Sequence, residues 1–430
     1  VGVALTIERV LAWEALDSRG TPTVASVVRL AVGAEGEAVV PSGASTGTHE
    51  AHERRDGGER YGGRGVRGAV AAVSGEIAAA VVGRDASDQE MLDAALRELD
   101  GTGDLSRLGA NAVLAVSVAA ARASAAAHGV PLWRSLQPVG EPLLPLPMVN
   151  VVSGGAHAGR LVDVQDVLVV PLGASSFTEA IEWAWRVRAA SAAELERRGH
   201  DASLVSDEGG LAAPLASNRD AVELVAAGIE RSGLVPGVDA AIAVDVAATQ
   251  LLDGGAYVLA REARRLSALE LVDEIAGWAE TLPIVSVEDV LAEDDPAWPE
   301  ATRRLAALQV LGDDLFATSA ARIADGAARG AANAVLVKPN QVGTVSDTRR
   351  AVEAAWAAGY ATVLSARSGE TEDAWLADLA VGWRAGQIKV GSTTRSERTA
   401  KWNRLLRIEA EATDPLFAGR QALAGPHRTD

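Results

Sequence analysis

The feature that most restricts what this chain can fold into is a series of short apolar runs. Each ends in a polar or charged residue, and each is followed by a stretch with helical spacing. Residues 241–244 run into Asp245, 284–287 into Glu288, 310–311 into Asp313, 334–337 into Lys338, 362–364 into Ala366 and Arg367, and Ile388 into Lys389. Taking Arg367 as the fifth, successive polar ends lie 43, 25, 25, 29 and 22 residues apart. That is the spacing of strand–helix units. Right-handed crossovers between parallel strands would bring every C-terminal strand end to one face. Six or more units in about 280 residues favour a closed α/β barrel over an open sheet, and in such barrels catalytic groups sit at those strand ends. Here the ends carry, in order, Asp, Glu, Asp, Lys, Arg and Lys.

The N-terminal part reads differently. Apolar strands at 24–30 and 37–40 give way to Gly-rich loops and then to Ala-rich helical stretches, the pattern of a separate α+β unit. Residues 137–147 contain four prolines and read as a linker. The expected division is therefore an N-terminal α+β domain over 1–136 and a barrel over 137–430. Residues 110–127 are rich in Ala but include Asn111, two Ser and Arg122, which suits a packed helix better than a membrane span. Val1 to Ile7 lacks a basic segment followed by a long apolar one, so the expectation is a cytoplasmic protein without membrane association. A net charge of -18 repels phosphate backbones and argues against a nucleic-acid partner.

The chemistry follows from the strand ends. Carboxylates at Asp245, Glu288 and Asp313, crowded into one mouth, repel one another unless a cation neutralises them. The chain has no Cys, so a metal would be held by oxygen or imidazole; an all-oxygen set suits magnesium or manganese. The alternative is that each acid is solvated or paired with a loop arginine. Of the 40 basic residues only Lys338, Lys389 and Lys401 are lysine. Arg stays protonated, whereas a buried Lys can shift its pKa and act as a base. Two of these lysines stand at strand ends, opposite the acids. The expectation is that a metal acidifies the α-carbon of a bound carboxylate and a lysine of lowered pKa removes the proton.

The strings DSRGTPT (17–23), PSGASTG (41–47), LGANAVL (108–114), SDEGG (206–210), VEDVLAEDD (287–295), GDDLFAT (312–318), KPNQVGT (338–344), RSGETED (367–373) and GQIKVGS (386–392) together resemble the enolase family over nearly the whole chain. The resemblance implies an α+β N-terminal domain on a modified (β/α)8 barrel, magnesium-dependent chemistry on a small phosphorylated or phosphonylated three-carbon acid, and a homodimer or larger homo-oligomer. By matching motif, Asp245, Glu288 and Asp313 would bind a structural Mg2+, and Ser45 would ligate a second that arrives with substrate. Lys338 would be the base, Lys389 would hold the substrate carboxylate, and Arg367 and Ser368 would grip its phosphate. Glu208 would act on the leaving hydroxyl, with His157 and Asp166 beside it. A Lys or His base with one or two Mg2+ ions is the general pattern of this superfamily.

The chain departs from the family pattern on the leaving-group side. The family's SHRSGETED is SARSGETED, which puts Ala366 in place of His; QEF is QDV, which shortens a Glu to Asp166 and retracts its carboxylate by about 1.5 Å. Val290 replaces a Gly and Pro339 a Val. The proton-abstracting half is retained while the half that expels hydroxide is altered. The sequence reading is accordingly a specialised relative, with carboxyphosphonoenolpyruvate synthase of phosphonate biosynthesis as the candidate. The alternatives are an ordinary phosphopyruvate hydratase and a catalytically silent binding scaffold.

Overall fold

The computed structural model describes residues 5–43, 47–137 and 139–424. At the N-terminal end three antiparallel strands, Ile7–Leu16, Pro22–Leu30 and Glu35–Val39, form a meander. The helix Ala110–Ala127 packs across its inner face. Gly36 makes this approach possible, because a Cβ there would lie 2.2 Å from the backbone of Ala119 and Ala123. The helix is long and apolar enough to cross a membrane, yet 78% of it is buried inside the fold. Its apolar surface is spent on the protein core.

Eight strands close the barrel: Leu146–Ser153, Asp166–Val170, Ala241–Asp245, Ile284–Glu288, Gln309–Gly312, Ala334–Val337, Ala361–Ser365 and Gly386–Gly391. The six runs read from sequence are six of these strands. Those six pair in parallel, as expected; one strand outside them does not. The second strand runs antiparallel to both its neighbours, so its first residue, Asp166, comes to the same end as the last residues of the others. The linker reading also needs correction: Pro147 lies inside the first barrel strand and pairs with Ile388. A proline near the start of a strand costs little there.

Capping residues start several of the surrounding helices. Ser217 with Asp220 and Ser267 with Glu270 form reciprocal capping boxes, and the Thr344 side chain accepts from the amide of Asp347. Inside the barrel an apolar layer including Met148, Leu168, Ala243, Val285, Leu336 and Val363 is closed from below by Leu423 and Ala424. Level with Ala243 and Val363, Gln309 and Gln387 exchange side-chain hydrogen bonds of 3.0 and 2.9 Å, Gln309 also donates to Ser286, and the pair bonds to the backbone of Ala422 and Ala424 below. Residues two apart on a strand share a face. The inward positions of Ala243, Ser286 and Gln387 therefore place Asp245, Glu288 and Lys389 one layer higher, in the mouth.

Candidate active site

Glu288 ends the fourth barrel strand in register with Asp245 of the third. The following residue, Asp289, takes a positive φ of 42°. This turn carries the Asp289 carboxylate to the next loop, where it accepts from the amides of Asp313 (2.9 Å) and Asp314 (2.8 Å). Asp289 thereby fixes the loop that presents Asp313. Burial and the charges of Asp314 and Asp313 push its carboxyl well above the usual range.

The two strand-end lysines point at these acids. Lys389 Nζ donates to Asp245 Oδ2 and to Glu288 Oε2, both at 2.7 Å. Lys338 Nζ donates to Asp313 Oδ2. Gln165 and Gln341 complete the set, donating to Asp245 (3.1 Å) and Asp313 (2.9 Å). All three acids are buried. Glu288 is pushed up to about 8 by burial and the neighbouring Asp245 charge, in spite of Lys389. Crowded, desolvated, purely oxygen donors with more negative charge than they can comfortably hold fit a hard divalent cation. Two further clusters bring three donor atoms within 4.8 Å of one another: His157, Asp166 and Glu208; and Asp289, Asp313 and Asp314.

The expected lowering of the lysine pKa is not what the geometry gives. Burial lowers Lys338, but the charge of Asp313 outweighs it and the net shift is upward. Lys389 is likewise raised well above its ordinary value: burial lowers it, but Asp245 and Glu288 prevail. Both amines are held as ammonium ions while they pair with these carboxylates. A cation taking up the acids' charge would remove the cause.

On the leaving-group side the order is different. His157 lies in a short turn, Gly155–Ala158, and its Nδ1 is 2.9 Å from Asp166 Oδ2. The other Asp166 oxygen accepts from Asn150 and from Ser153 at 2.8 Å. Asp166 is thus fully engaged in holding the imidazole. Burial would lower His157, but the charges of Asp166 and Glu208 raise it to about 9. Glu208 stands 4.0 Å from His157 Nε2 and 4.0 Å from Arg398 Nη1.

One cavity is lined by His157, Gln165, Glu208, Lys338, Ser365, Ala366, Arg367, Ser368, Lys389 and Val390. It gathers the residues expected for proton transfer and phosphate binding, and Ala366 is among its lining residues where the family pattern has His. Arg367 is buried and its Nη1 donates to Glu50 Oε2 at 2.7 Å. Ser45 lies outside the described residues. The sequence reading missed Glu50, Gln165, Asp289 and Gln341. Gln165, Asp289 and Gln341 fall within motifs that it had marked and Glu50 lies just beyond one, but a neutral amide or a second acid carries no signal of its own until the strand geometry aims it.

A barrel whose mouth joins buried acids, two ammonium groups, an arginine and an imidazole–carboxylate pair defines an acid–base enzyme for a small anionic acid. Two family models match the chain: "Enolase, N-terminal domain" over residues 7–136 and "Enolase, C-terminal TIM barrel domain" over residues 141–425. A protein named Enolase from Acidothermus cellulolyticus is 49% identical over 428 residues, covering 97% of this chain and 99% of its own length. The chain belongs to the enolase family and is a lyase of that family.

Proposed function

We propose that this chain is a phosphopyruvate hydratase that interconverts 2-phosphoglycerate and phosphoenolpyruvate. The observation that carries this reading is the convergence of Lys338, Lys389, Glu208, His157, Arg367 and Ser368 on a single cavity, and the 49% identity to a curated enolase supports it. It replaces the phosphonate-specialised reading as the first choice, because both family models and the relative's name point to the ordinary enzyme.

In this reaction Lys338, released from its pairing with Asp313 and acting as the neutral amine, takes the proton from the α-carbon, and Lys389 holds the substrate carboxylate and the charge that develops on it. Arg367 and Ser368 bind the phosphate. The electron pair left on the α-carbon forms the double bond as hydroxide leaves, and Glu208 supplies the proton that makes it water. Burial would raise the Glu208 carboxyl, but the charges of His157 and Arg398 outweigh it and hold the group below the usual range, so it must take up that proton before the step. His157, locked by Asp166, contributes positive charge beside the departing oxygen. Asp245, Glu288 and Asp313 would hold one Mg2+, and Ser45 a second. When bound, the metal stabilises the negative charge that builds on the carboxylate. The reading includes a cytoplasmic location and division at residues 136/137. It also includes a homodimer or larger homo-oligomer, to which the exposed Leu11, Trp13 and Leu16 on the first strand lend support.

The test is the rise in ultraviolet absorbance of the enol product when 2-phosphoglycerate and Mg2+ are supplied. Robust turnover is expected. A second reading, a relative acting on a phosphonylated acid, is favoured by Ala366 and Asp166 alone. It predicts exchange of the α-proton with solvent but no net dehydration. Absence of exchange with either Mg2+ or Mn2+ would point instead to a silent scaffold.

A further inference from the structure

Two of the three lysines face the cavity. The third, Lys401, is 1% exposed and sits on the helix Ser396–Glu411. Its ammonium donates to Glu370 Oε2 (2.7 Å), the Thr371 carbonyl (2.5 Å) and the Glu397 carbonyl (2.9 Å). The other oxygen of Glu370 accepts from the amide of Arg367 at 3.1 Å. Three residues earlier on the helix, Arg398 is 0% exposed and donates to the carbonyls of Arg367, Ser368 and Val390. Residues three apart lie on the same helix face. One helix face therefore presents two buried cations to the loop 367–371, and together they satisfy the carbonyls of Arg367, Ser368 and Thr371 and, through Glu370, the Arg367 amide.

The loop carries the two residues assigned to the phosphate, yet it is not part of a strand. Its backbone polar groups need partners; Ser18 and Ser42 supply neutral ones, while the carbonyls of Arg367, Ser368 and Thr371 have charged ones, which makes those bonds stronger than neutral ones. The retention of lysine at 401 in a chain that otherwise uses arginine also has a steric basis. A compact ammonium has three donors for three separate oxygens, whereas a planar guanidinium fork needs more room and a different acceptor layout.

We infer that Lys401 and Arg398 are positioning residues for anion binding: they set Arg367 and Ser368 in the geometry that grips the substrate's phosphate. This rests on the assignment of that pair to the phosphate made above. The effect falls on affinity, since neither residue lines the cavity.

The experiment compares the full-length protein with Lys401→Met, which keeps the stem and removes the charge. KM and kcat for 2-phosphoglycerate are measured with Mg2+ well below the melting temperature, alongside equilibrium titration with inorganic phosphate. Expected is a rise of about tenfold in KM and a matching loss of phosphate affinity, the scale of one charge-assisted hydrogen bond, with a smaller change in kcat. An unchanged KM, with the loss confined to kcat or to melting temperature, overturns the inference and leaves Lys401 a structural residue only. If Lys401→Met does not fold, Glu370→Gln cuts the same relay at its middle and should raise KM in the same direction; an unchanged KM there overturns it equally. If the unaltered protein does not turn over 2-phosphoglycerate, the functional reading fails, and the phosphate titrations decide the inference: equal affinities reject it, weakened affinity in the variant sustains it.

Discussion

Asp166, the first residue of the second barrel strand, stands in register with Asp245, the last residue of the third, because these two strands run antiparallel. Two buried acids thus share one rung at the mouth, and each has its own cation: His157 at 2.9 Å for Asp166, Lys389 at 2.7 Å for Asp245. The rung divides the site into an imidazole side and an amine side.

The imidazole side gives a pH dependence. His157 is raised from 6.5 to about 9, since the charges of Asp166 and Glu208 outweigh the opposing effect of burial. A folded-state pKa above the unfolded one means the contribution to stability is complete below pH 6.5 and is lost as pH rises through 9. Urea denaturation should therefore show stability falling between pH 6.5 and 9. Asp166→Asn removes the largest of the charges that raise His157, and this slope should flatten; an undiminished slope would assign the titration to another group.

Glu50 and Arg367 form a buried ion pair, with side chains 6% and 3% exposed. Removing the Glu50 charge leaves Arg367, which also donates to Asn340, with one counter-charge fewer in a poorly solvated place. Glu50→Gln should lower unfolding free energy by about 3 kcal/mol, measured by urea denaturation in the absence of anions. Added phosphate should recover part of the loss by supplying a new partner for Arg367.

Ala366 offers a gain-of-function test. This residue lines the cavity with Ser365, Arg367 and Lys389. Ala366→His restores the imidazole of the family pattern. With Glu208 supplying the proton, kcat for 2-phosphoglycerate should change little; a gain of about 10²-fold or more would show that acid help is missing and favour the phosphonate reading.

Much of this was legible before any coordinates. The strand ends at 245, 288, 313, 338, 367 and 389 could be placed because a buried parallel strand needs an uninterrupted apolar run, and a charged residue marks where it stops. The second barrel strand was not legible as antiparallel. Residues 166–170 are apolar after Asp166 whichever way they run, and only pairing reveals direction. The direction of the lysine shifts was misread for a related reason. Burial alone would lower Lys338, but a sequence does not show that its amine lies against Asp313. Glu50 was hidden because its partner is 317 residues away.

The central claim is that Lys338 removes the α-proton, and its most direct test is solvent exchange. 2-Phosphoglycerate is incubated with the protein and Mg2+ in D2O, and deuterium at the α-carbon is followed by NMR for the unaltered chain and for Lys338→Ala. The account predicts ready exchange in the first and its loss in the second, with Mg2+ binding nearly unchanged. Exchange that persists in Lys338→Ala would contradict it and identify a different base.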